Sequence, residues 1–185
     1  EMFKTYSTNE KKIYIMAHFN HPRELTPEAI EGLNLLMKSE VSLVNQTPLV
    51  KGVNDDPEVL AELFSKLSYI GVPPYYVFLC RPTLGNETYS VPIERGYEIF
   101  EKSRTLCSGL AKRARLVMSH ESGKIEVLGM SEDQIFFKFL RAADKINDAR
   151  FMAFFRNPEA CWFDDYQEAS DEFSLFSQTV RAGCS

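Results

Sequence analysis

Val41-Ser42-Leu43-Val44-Asn45-Gln46-Thr47, followed by Asp56-Pro57-Glu58 and an apolar stripe that stops at Gly71, is the stretch whose reading decides the fold. Val41 to Val44 reads as a short apolar strand that ends at the amides Asn45 and Gln46. A polar loop follows, and Asp56 then caps a helix with proline at its first position. Val59, Leu60, Leu63, Phe64, Leu67 and Ile70 mark the buried stripe of that helix, and Gly71 its stop. The same order recurs on both sides. Lys12 to Ala17 is a β-favouring run that ends at the polar segment His18-Phe19-Asn20-His21-Pro22-Arg23-Glu24. Thr26-Pro27-Glu28 starts a helix with Ile30, Leu33, Leu36 and Met37 on one face. Tyr75 to Cys80 is a third strand ending at Arg81-Pro82, and a third helix runs from about Pro92 to Leu106, with Gly109 beyond it. Strand, polar loop and helix in threefold succession predict βα units on a parallel sheet with right-handed connections. Ligands in such folds bind beyond the carboxyl ends of the strands, where these polar runs lie.

After about residue 112 the pattern changes. Ala114 to Ser119, Glu121-Ser122-Gly123 and Lys124 to Leu128 read as a β-hairpin around a glycine-containing turn. Gln134 to Leu140 and Ala149 to Phe155 supply further antiparallel strands, and the stretch from Trp162 to Ser185 reads as acidic and aromatic, ending in a helix. The expectation is an α/β unit over residues 1–112 and a small α+β extension over 113–185.

The 185 residues suffice for one domain with a real core, and 44% hydrophobic with 25% charged residues describes an ordinary globular protein. A net charge of -5 leaves no footprint for nucleic acid. No apolar run is long enough for a membrane span and no signal peptide opens the chain, so a cytoplasmic location is expected. Cys80, Cys107, Cys161 and Cys184 are scattered, with no C-x-x-C pair, which argues against a disulfide framework, a thiolate zinc site or an iron–sulfur cluster.

Two constellations can carry chemistry on their residues alone. His18 and His21 beside Glu24 offer metal-ligand types, but Pro22 breaks the helix that would aim them together. A loop-top contact to a ligand's polar edge, or a capped loop satisfying its own backbone, are the other readings. Gln46 follows an apolar strand, and a primary amide suits an amino-acid head group or a ribose. Loop structuring by asparagine-type side chains is the alternative for this segment.

Taken in order, the segments A-H-F-N-H-P-R-E, V-N-Q-T-P-L-V-K-G-V-N-D and P-Y-Y-V-F-L-C-R resemble those of the lysine 2,3-aminomutase family. That family has T-H-F-N-H-P-x-E, then G-N-Q-[ST]-x-L-[LK]-[RK]-G-V-N-D, then P-Y-Y-x-[FYL]-x-C-D, at matching separations and without gaps. The resemblance, which runs from Ala17 to Arg81, implies the later part of a partial (β/α) barrel. It also implies the cofactors S-adenosylmethionine and pyridoxal phosphate, with His18 and Gln46 helping to hold the former. Lys124 aligns with the family's pyridoxal-phosphate lysine, although the family's glycine run is reduced here to Gly123; an exposed hairpin lysine is the competing reading.

Arg81 stands where lysine-specific members carry an aspartate for the substrate's distal ammonium. A guanidinium repels that ammonium and favours a carboxylate, so the expected substrate is an amino acid with a distal acid. Pairing of Arg81 with an acid such as Glu94 is the alternative. The cysteine that follows V-N-D in members joined by an intersubunit zinc is replaced by Asp56, so that site is not expected. The family's C-x-x-x-C-x-x-C motif for a [4Fe–4S] cluster does not occur in this chain. Two expectations follow. The chain, which opens at Glu1, is a truncated or split segment of an aminomutase that moves an α-amino group to the β-carbon, inactive alone. Alternatively it is a non-catalytic module. Either way, a half sheet exposes an edge, which predicts a homo-oligomer or pairing with a missing N-terminal half.

Overall fold

The computed structural model describes residues 2–169. The expected terminal helix beyond Ala169, and Cys184 with it, lie outside the described residues. A short helix α1 (Met2–Tyr6) precedes three βα units: β1 (Tyr14–Ala17) with α2 (Pro27–Met37), β2 (Ser42–Leu49) with α3 (Pro57–Ile70), and β3 (Pro74–Leu79) with α4 (Ile93–Thr105). Four strands follow: β4 (Arg115–His120), β5 (Gly123–Met130), β6 (Gln134–Ala142) and β7 (Phe151–Phe155). All seven form one sheet in the order β1-β2-β3-β4-β5-β6-β7. Strands β1 to β4 are mutually parallel, and β4 to β7 form an antiparallel meander. The fold is therefore α/β with a mixed sheet that is continuous across residue 112. The sheet is open, its ends being β1 and β7.

The helix boundaries follow from caps. Thr26 accepts from the Ala29 N–H, and Asp56 from the N–H groups of Glu58 and Val59, each just before a proline. Gly71 ends α3 in the left-handed region at φ 94°, where a side chain would be strained. Alternation then assigns the faces. On β2, Leu43, Asn45, Thr47 and Leu49 are buried while Ser42, Val44, Gln46 and Pro48 are half-buried on the opposite face. Leu49, Val77, Leu79, Leu116 and Met118 pack with α3 and α4 through Leu60, Phe64, Ile93 and Phe100, and this core continues through Ile125, Ile135 and Phe137 under Trp162 and Tyr166. A second cluster joins Leu33 of α2 to Leu43, Leu63 and Leu67. All the helices that matter for the core thus cover one face, and the other is left open.

One expectation about a strand changes. Strand β2 does not end at Asn45 but continues through Thr47 and Pro48 to Leu49. Proline is tolerated there because β1 pairs only as far as Ala17↔Asn45, so Pro48 has a ladder partner on the β3 side alone. At the far end β7 is shielded, since Phe155 N donates to Gln167 O and Ala169 N to Ala153 O. No described residue pairs with the outer edge of β1, where Tyr14 is 67% exposed. No helix among the described residues is long and apolar enough to cross a membrane.

Candidate functional site

Parity along β2 separates structural amides from available ones. Asn45 points toward the helices and is 1% exposed. Its Nδ2 donates to Phe19 O at 3.0 Å and its Oδ1 accepts from Phe19 N at 2.8 Å. Thr47 Oγ1 donates to the same carbonyl. Asn54, fully buried, donates to Asn20 O and Pro48 O and accepts from Val50 N. Together these side chains fasten the loop after β1 to the end of β2. Within that loop Glu24 accepts from the N–H groups of Asn20 and His21, and His21 Nδ1 accepts from Arg23 N. His21 and Glu24 are therefore spent on a capping box. Loop structuring, one of the readings open from sequence, accounts for all of these residues.

His18 and Gln46 do not share that work. Gln46, one residue on, faces the open side and is half-buried; His18 is exposed, one residue beyond the Ala17↔Asn45 pair, so the two lie at the same level of the sheet. Gln46 stands opposite Tyr76. A bulge between Asn45 and Gln46 leaves Tyr75 as an extra residue on β3, which turns both Tyr75 and Tyr76 toward the open face, their ring centroids 3.9 Å apart. Burial, and then Tyr75, push the Tyr76 hydroxyl up to about 12.

Lys124 arrives from the hairpin. Its register partner is Ser119, and its Nζ lies 4.4 Å from the Tyr76 centroid and 5.2 Å from that of Phe78. The ammonium rests on an aromatic floor, half-buried rather than free in solvent. Beside it, a cleft of about 380 Å³ at the carboxyl ends of β2 and β3 is lined by Pro48, Phe78, Cys80, Arg81, Thr83 and Ser119. Arg81 is exposed at the mouth of this cleft. The Glu94 carboxylate is not its partner: 3% exposed, Glu94 takes Arg156 Nε at 2.9 Å and Asn157 N at 2.7 Å. A larger apolar groove of about 450 Å³ is lined by Leu25, by Ile30 of α2 and by Ser65, Lys66, Tyr69 and Ile70 of α3.

The open face thus brings together Gln46, Tyr76, Phe78 and Lys124, with Arg81 and Ser119 at the adjoining cleft and His18 at the end of β1. The donor set suits the expected cofactors in part. An amine over aromatic rings, open to a cleft, is the group that an aldehyde-bearing cofactor requires. The hairpin offers no glycine cradle for a phosphate, because Gly123 serves the sheet: at φ 139° a Cβ there would lie 2.2 Å from Arg141 O. No group of three metal-ligating side chains occurs among the described residues.

Sequence reasoning missed the device that supports this hairpin. His120 Nδ1 accepts from Ser122 N and lies 2.6 Å from Ser122 Oγ, while Nε2 meets Asp164 Oδ2 at 3.1 Å. Because Nδ1 is an acceptor, the ring proton sits on Nε2 and is donated to Asp164. With Trp162 and Phe163 against its ring, His120 fastens the 162–166 segment to the turn that carries Lys124. No spacing in the sequence reveals a pairing 44 residues apart.

No protein-family model matches the chain. A protein of Aquifex aeolicus that carries the provisional name L-lysine 2,3-aminomutase is 56% identical over 174 residues, 94% of this chain and 46% of the relative. The L-lysine 2,3-aminomutase of Clostridium subterminale is 42% identical over 97 residues, 52% of this chain and 23% of its own. The glutamate 2,3-aminomutase of Clostridioides difficile is 36% identical over 111 residues, 60% of this chain and 26% of its own. The chain spans less than half the length of the curated relatives it matches.

Proposed function

Taking as premise that this chain is a portion of a lysine 2,3-aminomutase-family protein, we propose that it contributes the lysine-bearing wall of an amino-acid aminomutase site. The observation that carries the reading is Lys124, held on Tyr76 and Phe78 beside the Arg81 cleft, on the same face as Gln46. Lys124 would hold pyridoxal phosphate and give up its place there to the amino acid's nitrogen; together with S-adenosylmethionine, that group would supply the radical chemistry. The residues of this chain bind and orient. Gln46 and His18 offer an amide and an imidazole to a nucleoside's polar edges. Tyr76 and Phe78 exclude water beneath the Lys124 ammonium, and Arg81 sets the charge accepted at the far end of the substrate.

That charge favours a distal carboxylate, as in glutamate, over the ammonium of lysine. The name of the Clostridioides difficile relative is consistent with this choice. Pyridoxal phosphate titrated into the protein should give a long-wavelength absorbance band that Lys124→Ala abolishes and Arg81→Gln retains. A band unchanged in Lys124→Ala would sink the assignment.

A second reading has its own observation: the open outer edge of β1, with Tyr14 67% and Met16 40% exposed. We infer that this edge takes another strand, from a second copy of the chain or from a preceding portion that completes a partial barrel. In that case the segment works only as part of the assembly. A monodisperse monomer in sedimentation, at concentrations well above micromolar, would count against it.

A further inference from the structure

A second group of cations lies where α4 ends and β4 begins. Lys102, Arg104, Lys112, Arg113 and Arg115 fall within fourteen residues of a chain whose net charge is -5. Helix α4 ends at Thr105, so Lys102 and Arg104 complement its negative end. Arg104 is further committed to Glu101 at 2.6 Å and to the Lys112 carbonyl. Arg113 and Arg115 lie beyond the helix and are not explained in this way. Arg113 is exposed and has no ion pair among the described residues; Arg115 meets Glu126 only at 3.8 Å.

Both arginines line a pocket of about 410 Å³ whose remaining walls are Val44, Pro74 and Tyr75. Arg115 is the register partner of Tyr76, and Tyr75, pushed out by the bulge, is 43% exposed. The pocket is therefore lined by two arginines and by an aromatic and apolar shelf. Both arginines also border a neighbouring cleft that holds Glu126, 3.8 Å from Arg115, and Glu101, which is held by Arg104.

We propose that this pocket is a binding site for an organic anion, its phosphate or carboxylate bridging Arg113 and Arg115 and its planar body lying on Tyr75 and Pro74. Two guanidinium forks suit an oxyanion, and an aromatic shelf selects against a bare inorganic ion. The pocket shares the open face with Lys124 but is lined by other residues, and its occupancy does not depend on the aminomutase reading.

Calorimetric titration of the whole chain with phenyl phosphate, inorganic phosphate and phenol tests it. Phenyl phosphate should bind at least tenfold more tightly than either of the others, and more weakly as salt rises. The pair Arg113→Gln and Arg115→Gln should weaken it tenfold or more, and the exposed single change Arg113→Gln at least threefold with an unchanged melting curve. Lys124→Ala should leave binding untouched. Absence of binding, equal affinity for inorganic phosphate, indifference to Arg113→Gln, or loss of binding in Lys124→Ala would each overturn the proposal.

Discussion

Asn45 and Gln46 are adjacent amides, and the structure gives them opposite tasks, so replacing each by alanine should have opposite consequences. Asn45→Ala removes two hydrogen bonds, of 3.0 and 2.8 Å, to the backbone of Phe19. Each contributes about 1 kcal/mol net, and a buried backbone group left without a partner costs roughly 1–3 kcal/mol more, so the loss should be about 2–4 kcal/mol. With a urea slope of about 2 kcal/mol/M for a chain of this size, the midpoint should fall by about 1–2 M. Gln46 is half-buried on the open face with no backbone to hold, and Gln46→Ala should move the midpoint by less than about 0.3 M. Equilibrium urea unfolding followed by circular dichroism reads both variants. Asn45→Asp, which keeps the acceptor for Phe19 N but turns a buried carboxylate oxygen toward Phe19 O, should fall at least as far as Asn45→Ala. Equal shifts for the two alanine variants would refute the assignment of faces, and with it the placement of Gln46 in a ligand site.

Gly123→Ala should cost about 3 kcal/mol, since a side chain there combines an unfavourable φ with an approach to Arg141 O, and a thermal melt measures it. Arg156→Met strands the buried Glu94 carboxylate and should cost about 3 kcal/mol, the lower end for a broken buried pair because Arg156 is itself partly exposed; the double change with Glu94→Gln should recover part of that loss. Tyr76 holds its proton longer when folded, its hydroxyl pushed from 10 to about 12. The stability this confers is complete below pH 10 and is lost as pH rises through about 12; denaturant melts across that range should fall less steeply in Tyr76→Phe.

Much of the fold was legible because its signals are local. Thr26-Pro27, Asp56-Pro57 and Gly71 mark helix ends through contacts within a few residues, and the hairpin around Gly123 is equally short-ranged. The length of β2 was hidden because Asn45, Thr47 and Pro48 look like a loop, and their burial depends on the Phe19 loop and on β1 ending at Ala17. The site was only half legible. Sequence could name His18, Gln46, Arg81 and Lys124, but Lys124 acquires its setting from Tyr76, 48 residues earlier, across a register that a bulge fixes. The partner of Glu94 was hidden for the same reason, since Arg156 is 62 residues away.

Lys124 differs from the other lysines because of the aromatic face on which it sits. Incubation with pyridoxal phosphate, borohydride reduction and peptide mapping tests it most directly. Labelling should fall preferentially on Lys124, saturating there first and suppressed by Tyr76→Ala together with Phe78→Ala while the protein remains folded. Labelling spread over the lysines in proportion to their exposure, with Lys124 no earlier than the rest, would contradict it.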